Sequence, residues 1–306
     1  MQVLVTGGAG FIGANLCRRF LEEGHAVAVI DDFSSGSPSN LERLDVDLHE
    51  ATILDPGALQ RAARGAEAIV HLAAIPSVPR SVNAPLPSHE ANATGTLRVL
   101  EAARETGAHV TVASSSSVYG ANPELPKRET MTPRPRSPYA VSKLAAESYA
   151  IAWGMTYGLP TLAFRFFNVF GPLQAAGHAY AAVIPAFVDA ALAGRTLPVH
   201  GDGLQTRDFT FVDSVTALLS RAATQRVTSD VPVNLAFGSR RSLLDVIAEM
   251  EAVLGRPLER EFLSPRVGDV RDSQADNSQL RALFPDVEPF SFEEGLGRTI
   301  KWMSDR

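Results

Sequence analysis

Short apolar runs alternate, through the first half of the chain, with longer stretches whose apolar residues recur every third or fourth position. Residues 2–6 (QVLVT) are a β-branched, apolar run and read as a buried strand. The amphipathic stretch that follows carries Ile12, Leu16, Phe20 and Leu21 on one face and ends near Gly24, a helix C-cap glycine. The rhythm then predicts strands at 25–30 and 46–53, a helix at 56–64, a buried strand at 68–74 (AIVHLAA), a long helix at 86–107 and a strand at 109–114. Such alternation implies an α/β fold, a doubly wound parallel sheet with helices on both faces. Ligands of such sheets sit beyond the carboxyl ends of the strands. After Gly171 the alternation breaks. Residues 179–192 and 242–254 read as helices, the second stopped by Gly255 and Pro257, and 291–302 supplies a last one. Segments 207–223 and 231–237 are expected to return to the first domain. The expected partition is therefore 1–170 plus 207–238 for a nucleotide-binding domain, and 171–206 plus 239–306 for a smaller α/β substrate domain that closes over it. The proline-rich stretches 75–87 and 122–138 read as borders of a site; no internal repeat or low-complexity linker is visible.

Composition excludes more than it selects. A chain of 306 residues suffices for one large domain or two interlocked ones. Its net charge of -6 argues against nucleic-acid binding by bulk electrostatics, while leaving room for a local basic pocket for a phosphorylated small molecule. Cys17 is the only cysteine, which rules out an intramolecular disulfide and a cysteine-based metal site and fits a cytoplasmic protein. The start of the chain lacks the basic head and apolar core of a signal peptide, and no run of about 18 apolar residues predicts a membrane span.

Candidate chemistry begins where the first strand meets the first helix. There TGGAGFIG places Gly7, Gly10 and Gly13 in G-x-x-G-x-x-G spacing, with Phe11 and Ile12 at the helix start. Glycines at those positions permit a tight turn and let a pyrophosphate approach the first N–H groups of the helix. The next strand delivers Asp31 and Asp32 about twenty residues on. A carboxylate there accepts hydrogen bonds from ribose hydroxyls and repels a 2′-phosphate, so NAD is favoured over NADP. Leu72, Ala73 and Ala74 end another strand with small residues that allow close approach of a cofactor. The strand at 109–114 runs into SSSSVYG, whose hydroxyls read equally as a polar turn or as ligand contacts. Tyr139 and Lys143 stand four apart in a run of helical spacing, hence on one helix face. A phenol with an ordinary pKa of about 10 serves as a base only where a neighbouring cation stabilises the phenolate. Y-x-x-x-K alone is a weak signal. His71, inside an apolar strand, reads as a core residue, and Trp153 as packing.

Taken together, TGGAGFIG, DDFSSG, HLAA, SSSSVYG and the Tyr139–Lys143 pair resemble the extended short-chain dehydrogenase/reductase family. Further on, RFFNVFGP (165–172), GDGLQTRDF (201–209) and PRVGD (265–269) resemble its NDP-sugar 4-epimerases, and the likeness runs in order over nearly the whole chain. The resemblance implies a Rossmann sheet, NAD as cofactor and a UDP-sugar as substrate. Tyr139 would be the base, Lys143 its activator and a ribose ligand, and Ser115 the hydroxyl beside the sugar 4-OH, with Ser116 a close rival. Along the cofactor the resemblance places Thr52, Ile53, Asn92 and Phe167 in addition to the glycine turn, Asp31, Asp32 and residues 72–74. For the nucleotide diphosphate and sugar it names Asn168, Val183, His200, Arg207, Arg266, Asp269 and Ser273. No metal is implied, and a homodimer through a helix pair that includes the Tyr139 helix is.

Departures from the family pattern carry information. Thr52 stands where relatives often carry an aspartate for the adenine amino group, and Leu173 follows Gly-Pro where arginine is frequent. Ser116 and Ser117 stand where sugar dehydratases carry an acid pair and decarboxylases a glutamate. Ser273 stands where epimerases restricted to plain hexoses carry a tyrosine, leaving room beside carbon 2. The activity implied is 4-epimerisation of UDP-Glc and UDP-Gal, and of UDP-GlcNAc and UDP-GalNAc, through a transient 4-keto sugar. Alternatives are a UDP-glucuronate or other NDP-sugar 4-epimerase, a net NAD-dependent reductase, and a cofactor-binding sensor or scaffold without turnover.

Overall fold

The computed structural model describes residues 1–176, 182–264 and 271–305. Strand β1 (Gln2–Thr6) buries every residue after Gln2, because helices cover both faces of the sheet it belongs to. Parallel to it lie β2 (Ala26–Asp31), β3 (Asp47–Glu50), β4 (Ala68–His71), β5 (His109–Ser115), β6 (Thr161–Phe166) and an edge strand, Val233–Leu235. Their spatial order is Val233–Leu235, β6, β5, β4, β1, β2, β3. The chain winds outward to β3 on one side of β1 and through β4, β5 and β6 on the other. A crevice therefore opens above the carboxyl ends of β1 and β4, where Thr6 lies opposite His71.

Period-two alternation splits the core between the two faces. Val3, Val5, Val27 and Val29 pack with Leu16, Phe20, Leu218 and Leu219 on one side. Leu4, Ala28, Ile30 and Ile69 pack with Leu59, Val99, Leu100 and Ala146 on the other. A third core gathers Phe170, Phe187, Val199, Phe209, Phe211, Ile247, Met250, Phe292 and Leu296. It joins the helices Val183–Leu192, Leu243–Leu254 and Phe292–Ser304 to the strands Leu197–His200 and Phe209–Phe211. The two units interlock. Phe209–Phe211 pairs with Asn168–Phe170 and feeds the third core, while Leu280, Phe284 and Val287 reach back to the first.

Three elements differ from the hydrophobic pattern, the first being the strand expected over 46–53, which is confined to Asp47–Glu50. The strand expected to run to Ala74 stops at His71: Leu72 N–H makes the last ladder bond, to Thr6 C=O, and Ala73 N–H is then taken by the Thr6 hydroxyl instead of a backbone carbonyl. The long helix expected over 86–107 runs without interruption from Pro85 to Thr106, but its middle, Glu90–Thr94, widens into a π-helical turn. A π turn inside a helix is rare and common at functional sites. The border stretch 75–87 also contains a short helix, Val78–Asn83, capped by Ser77.

Candidate active site

One cavity of about 1330 Å³ runs from the glycine turn, past the ends of β4 and β5, to the strand Leu197–His200 of the smaller unit. The helix Pro138–Tyr157 sets the reactive groups at its middle. Ser137 caps that helix by accepting Ala140 N–H at 3.1 Å, Pro138 fixes its first turn, and Gly158 ends it in the left-handed conformation. Tyr139 and Lys143 both line the cavity. So does Ser115, brought there by the end of β5.

Burial governs the electrostatics at this point. It pushes the Tyr139 phenol above its ordinary value, and a side-chain hydrogen bond with Ser115 works the other way. The Ser115 oxygen accepts the Ser117 N–H at 3.2 Å, so its proton is free to donate. Burial brings Lys143 down to about 8. Its ammonium donates to Ala113 C=O at 2.8 Å, one of its three donor positions. Ser116, the rival hydroxyl, does not line the cavity.

The other expected residues divide plainly. Gly7, Gly10, Phe11, Ile12, Gly13, Asp31, Asp32, Thr52, Ile53, Leu72, Ala73, Ala74 and Phe167 line the cavity, as do Asn168, Val183, His200 and Arg207. Asn168 donates its amide to Asp208 C=O, and Arg207 is held by the carbonyls of Thr206 and Arg271. Asn92 is not in the wall: it is fully buried behind it, its amide spent on the Ile75 backbone and on Ser142. Ser273 does not line the cavity either; its N–H donates to Thr206 C=O at 3.1 Å, one residue from Arg207. Arg266 and Asp269 lie outside the described residues, as do the first residues of the helix expected from 179.

Residues 3–236 match the model of the NAD dependent epimerase/dehydratase family. The chain belongs to that family. It falls in the extended short-chain dehydrogenase/reductases, and its cofactor is NAD. It is 37% identical to the UDP-glucose 4-epimerase of Mycolicibacterium smegmatis, over all of this chain and 99% of the relative. Among solved structures, the UDP-N-acetylglucosamine 4-epimerase of Methanobrevibacter ruminantium, in complex with UDP-N-acetylmuramic acid, superposes with a TM-score of 0.94 at 34% identity, covering 99% of this chain and 98% of that one. The Thermus thermophilus UDP-glucose 4-epimerase, in complex with NAD, gives 0.89 at 32% identity, covering 99% and 98%.

The nucleotide arm of this epimerase/dehydratase fits NAD. Gly7 has φ +72°, and a Cβ there would sit 2.7 Å from Ala73 N; at Gly13 one would meet Gly7 C=O at 2.2 Å. The helix Phe11–Glu22 begins without a side-chain cap, so its first-turn N–H groups are left for an anion. Asp31 accepts N–H groups from Ala9 and Phe33, at 2.9 and 2.8 Å, and so stands fixed at the wall with lone pairs to spare for ribose hydroxyls. The lining from Asp31 to Leu54 carries two aspartates and no Lys or Arg, a poor host for a 2′-phosphate.

Several residues that build the site escaped the reading of motifs. Ser81 accepts the Tyr139 N–H at 3.0 Å, and Ser142 donates to the Tyr139 C=O at 2.8 Å, so both backbone groups of that tyrosine are held by side chains. Behind Lys143, Glu147 forms a buried pair with Arg165 (2.6 and 3.0 Å) and accepts the Ser114 hydroxyl at 2.6 Å. The recurrence of Tyr139, Lys143 and Glu147 at every fourth position was the available signal for that pair. Asp208, fully buried and brought up to about 6 by desolvation, accepts Ala275 N–H and the Ser239 hydroxyl, stapling the Arg207 strand to the segment that carries Ser273.

Proposed function

We propose that the protein interconverts UDP-hexoses by 4-epimerisation through a transient 4-keto sugar. The observation that carries this reading is the meeting of Ser115, Tyr139 and Lys143 in the wall of one cavity that also takes in the glycine turn and Arg207. When bound, NAD supplies a reversible hydride acceptor and a positively charged ring beside the phenol. Tyr139 takes the proton from the sugar 4-hydroxyl and later returns it; Ser115 holds the oxygen between them. Lys143 stabilises the phenolate from below the helix turn and keeps donors for the ribose. Arg207, with the uncapped start of Val183–Leu192, holds the diphosphate. The serines after Ser115 bring no carboxylate to the reacting end, which supports redox at one carbon over elimination or decarboxylation. Ser273, bonded to the strand that carries Arg207 and itself outside the cavity wall, brings none of a tyrosine's bulk there, which supports acceptance of N-acetylated sugars. Exposed Val82, Leu86, Val141 and Met155, on helices that pack against one another, support a homodimer, and a single buried cysteine supports a cytoplasmic setting.

The test is incubation of the purified protein, without added cofactor, with UDP-Gal, UDP-GalNAc, UDP-glucuronate and a dTDP-hexose, followed by NMR. UDP-Gal is expected to give UDP-Glc and UDP-GalNAc to give UDP-GlcNAc. Turnover confined to UDP-glucuronate moves the assignment to that acid; no epimer from any of the four sinks the proposal.

A further inference from the structure

The two strands that open the crevice end side by side at Thr6 and His71. His71 is 3% exposed, and both of its ring nitrogens are engaged: Nδ1 lies 2.7 Å from Thr6 Oγ1, and Nε2 lies 2.9 Å from Thr96 Oγ1. The hydroxyl protons decide the tautomer. Thr96 donates its one proton to the C=O of Asn92 at 2.6 Å, so its oxygen accepts from His71 and Nε2 carries the hydrogen. Nδ1 then accepts from Thr6, whose oxygen in turn accepts the Ala73 N–H at 3.2 Å.

The path continues on the far side. Thr96 closes the π turn that carries Asn92, and Asn92 accepts the Ile75 N–H at 2.8 Å and donates to Ser142 at 3.0 Å. Ser142 donates to the Tyr139 C=O. An unbroken series of hydrogen bonds thus links the turn at Ala73, which meets Gly7, to the backbone of Tyr139. A neutral imidazole is suited to the middle of it, since a rigid ring presents a donor on one edge and an acceptor on the other. An imidazolium would also carry a proton on Nδ1, so the Thr6 hydroxyl could no longer donate to the ring and would have to turn its own proton elsewhere. Burial, with Lys143 nearby, holds the ring neutral, at about 3.

We propose that His71 is a positioning residue. As the neutral Nε2–H tautomer it ties the Thr6–Ala73 turn under the cofactor to the Asn92 turn that holds Tyr139, so that base and cofactor cradle keep one spacing. A histidine that reads as core filling is then part of the site's frame. The link to Tyr139 rests on the epimerase reading, whereas the tautomer does not.

Two measurements test it. The first is a long-range ¹H–¹⁵N imidazole spectrum of the labelled wild-type protein, with His71 assigned from the signal missing in His71→Phe. Its signals should show the Nε2–H tautomer from pH 8 down to pH 5, where an ordinary histidine has titrated. An Nδ1–H pattern, or a midpoint near 6.5, overturns the proposal. The second is Thr96→Val, which keeps the shape and removes the hydroxyl. It should lower kcat about tenfold to hundredfold with KM changed less than about twofold, and Thr96→Ser should restore the rate. An unchanged kcat overturns the link to Tyr139. A wild-type protein that epimerises nothing sinks the epimerase reading and leaves the tautomer measurement to decide the frame.

Discussion

Tyr139 in the protein alone is a poor base: burial raises its phenol, and Ser115 is the hydrogen-bond partner that opposes this. The proposed chemistry therefore depends on positive charge brought near the ring. Tyr139→Phe should lower kcat by about 10²–10⁴ with bound NAD retained. Ser115→Ala should also lower it, whereas Ser116→Ala, outside the cavity wall, should stay within about twofold; equal effects of the two serine changes would contradict the placement. Lys143 makes a separate, thermodynamic prediction. Its folded value of about 8 lies below its ordinary value of 10.5, so between the two the unfolded chain still binds a proton that the folded one has released. The cost of the buried ammonium is thus fully present below pH 8 and fades toward pH 10.5. It amounts to about 3 kcal/mol, less the bond lost to Ala113. Lys143→Met in the cofactor-free protein should therefore gain stability over wild type at pH 7 while losing activity, and denaturant titrations at pH 7 and 9.5 should show the gap narrowing. A gap independent of pH would contradict the assignment.

The helix Pro138–Tyr157 was legible as an element from the helical spacing around Tyr139 and Lys143; its ends, Ser137 and Pro138 at one and Gly158 at the other, are local signals that the spacing alone did not use. What it packs against was not. Glu147 and Arg165 stand 18 residues apart and meet only because β6 lies beside β5, a fact of sheet order that no local spacing encodes. The π turn was hidden for a similar reason. Its register is set by Asn92 bonding to Ile75 and Ser142, distant in sequence, and the apolar period of 86–107 alone predicts a helix of uniform α register. The same logic shortened β4, whose end is fixed by Thr6 on another strand. For the buried pair, Glu147→Gln should destabilise the protein by about 3–5 kcal/mol, because it strands the Arg165 charge. Glu147→Gln with Arg165→Met should cost less than Glu147→Gln alone in urea unfolding; a larger loss in the double variant would contradict the pairing.

At the scale of the whole molecule, the dinucleotide half was readable because a parallel sheet buried on both faces writes continuous apolar strands, and the glycine turn has one steric purpose. The smaller unit was less readable. Its core is assembled from Phe170, Phe209, Phe211 and Phe292, which come from three separate stretches, so boundaries drawn along the chain cut through packing that crosses them. The sugar end inherits that difficulty. Ser273 is positioned by Thr206 and, through nearby Ala275, by Asp208, and neither Thr206 nor Asp208 is a neighbour in sequence. Ser273→Tyr should cut turnover of UDP-GalNAc by at least about tenfold relative to UDP-Gal; equal effects on both would show that this position does not set the space at carbon 2. The central claim, oxidation and reduction at carbon 4 with the hydride retained, is tested most directly by epimerising UDP-Gal in D₂O and reading the H4 signal of the product. UDP-Glc with full proton intensity at carbon 4 is the expected product. Deuterium at that carbon would mean exchange with solvent through a carbanion, and would contradict it.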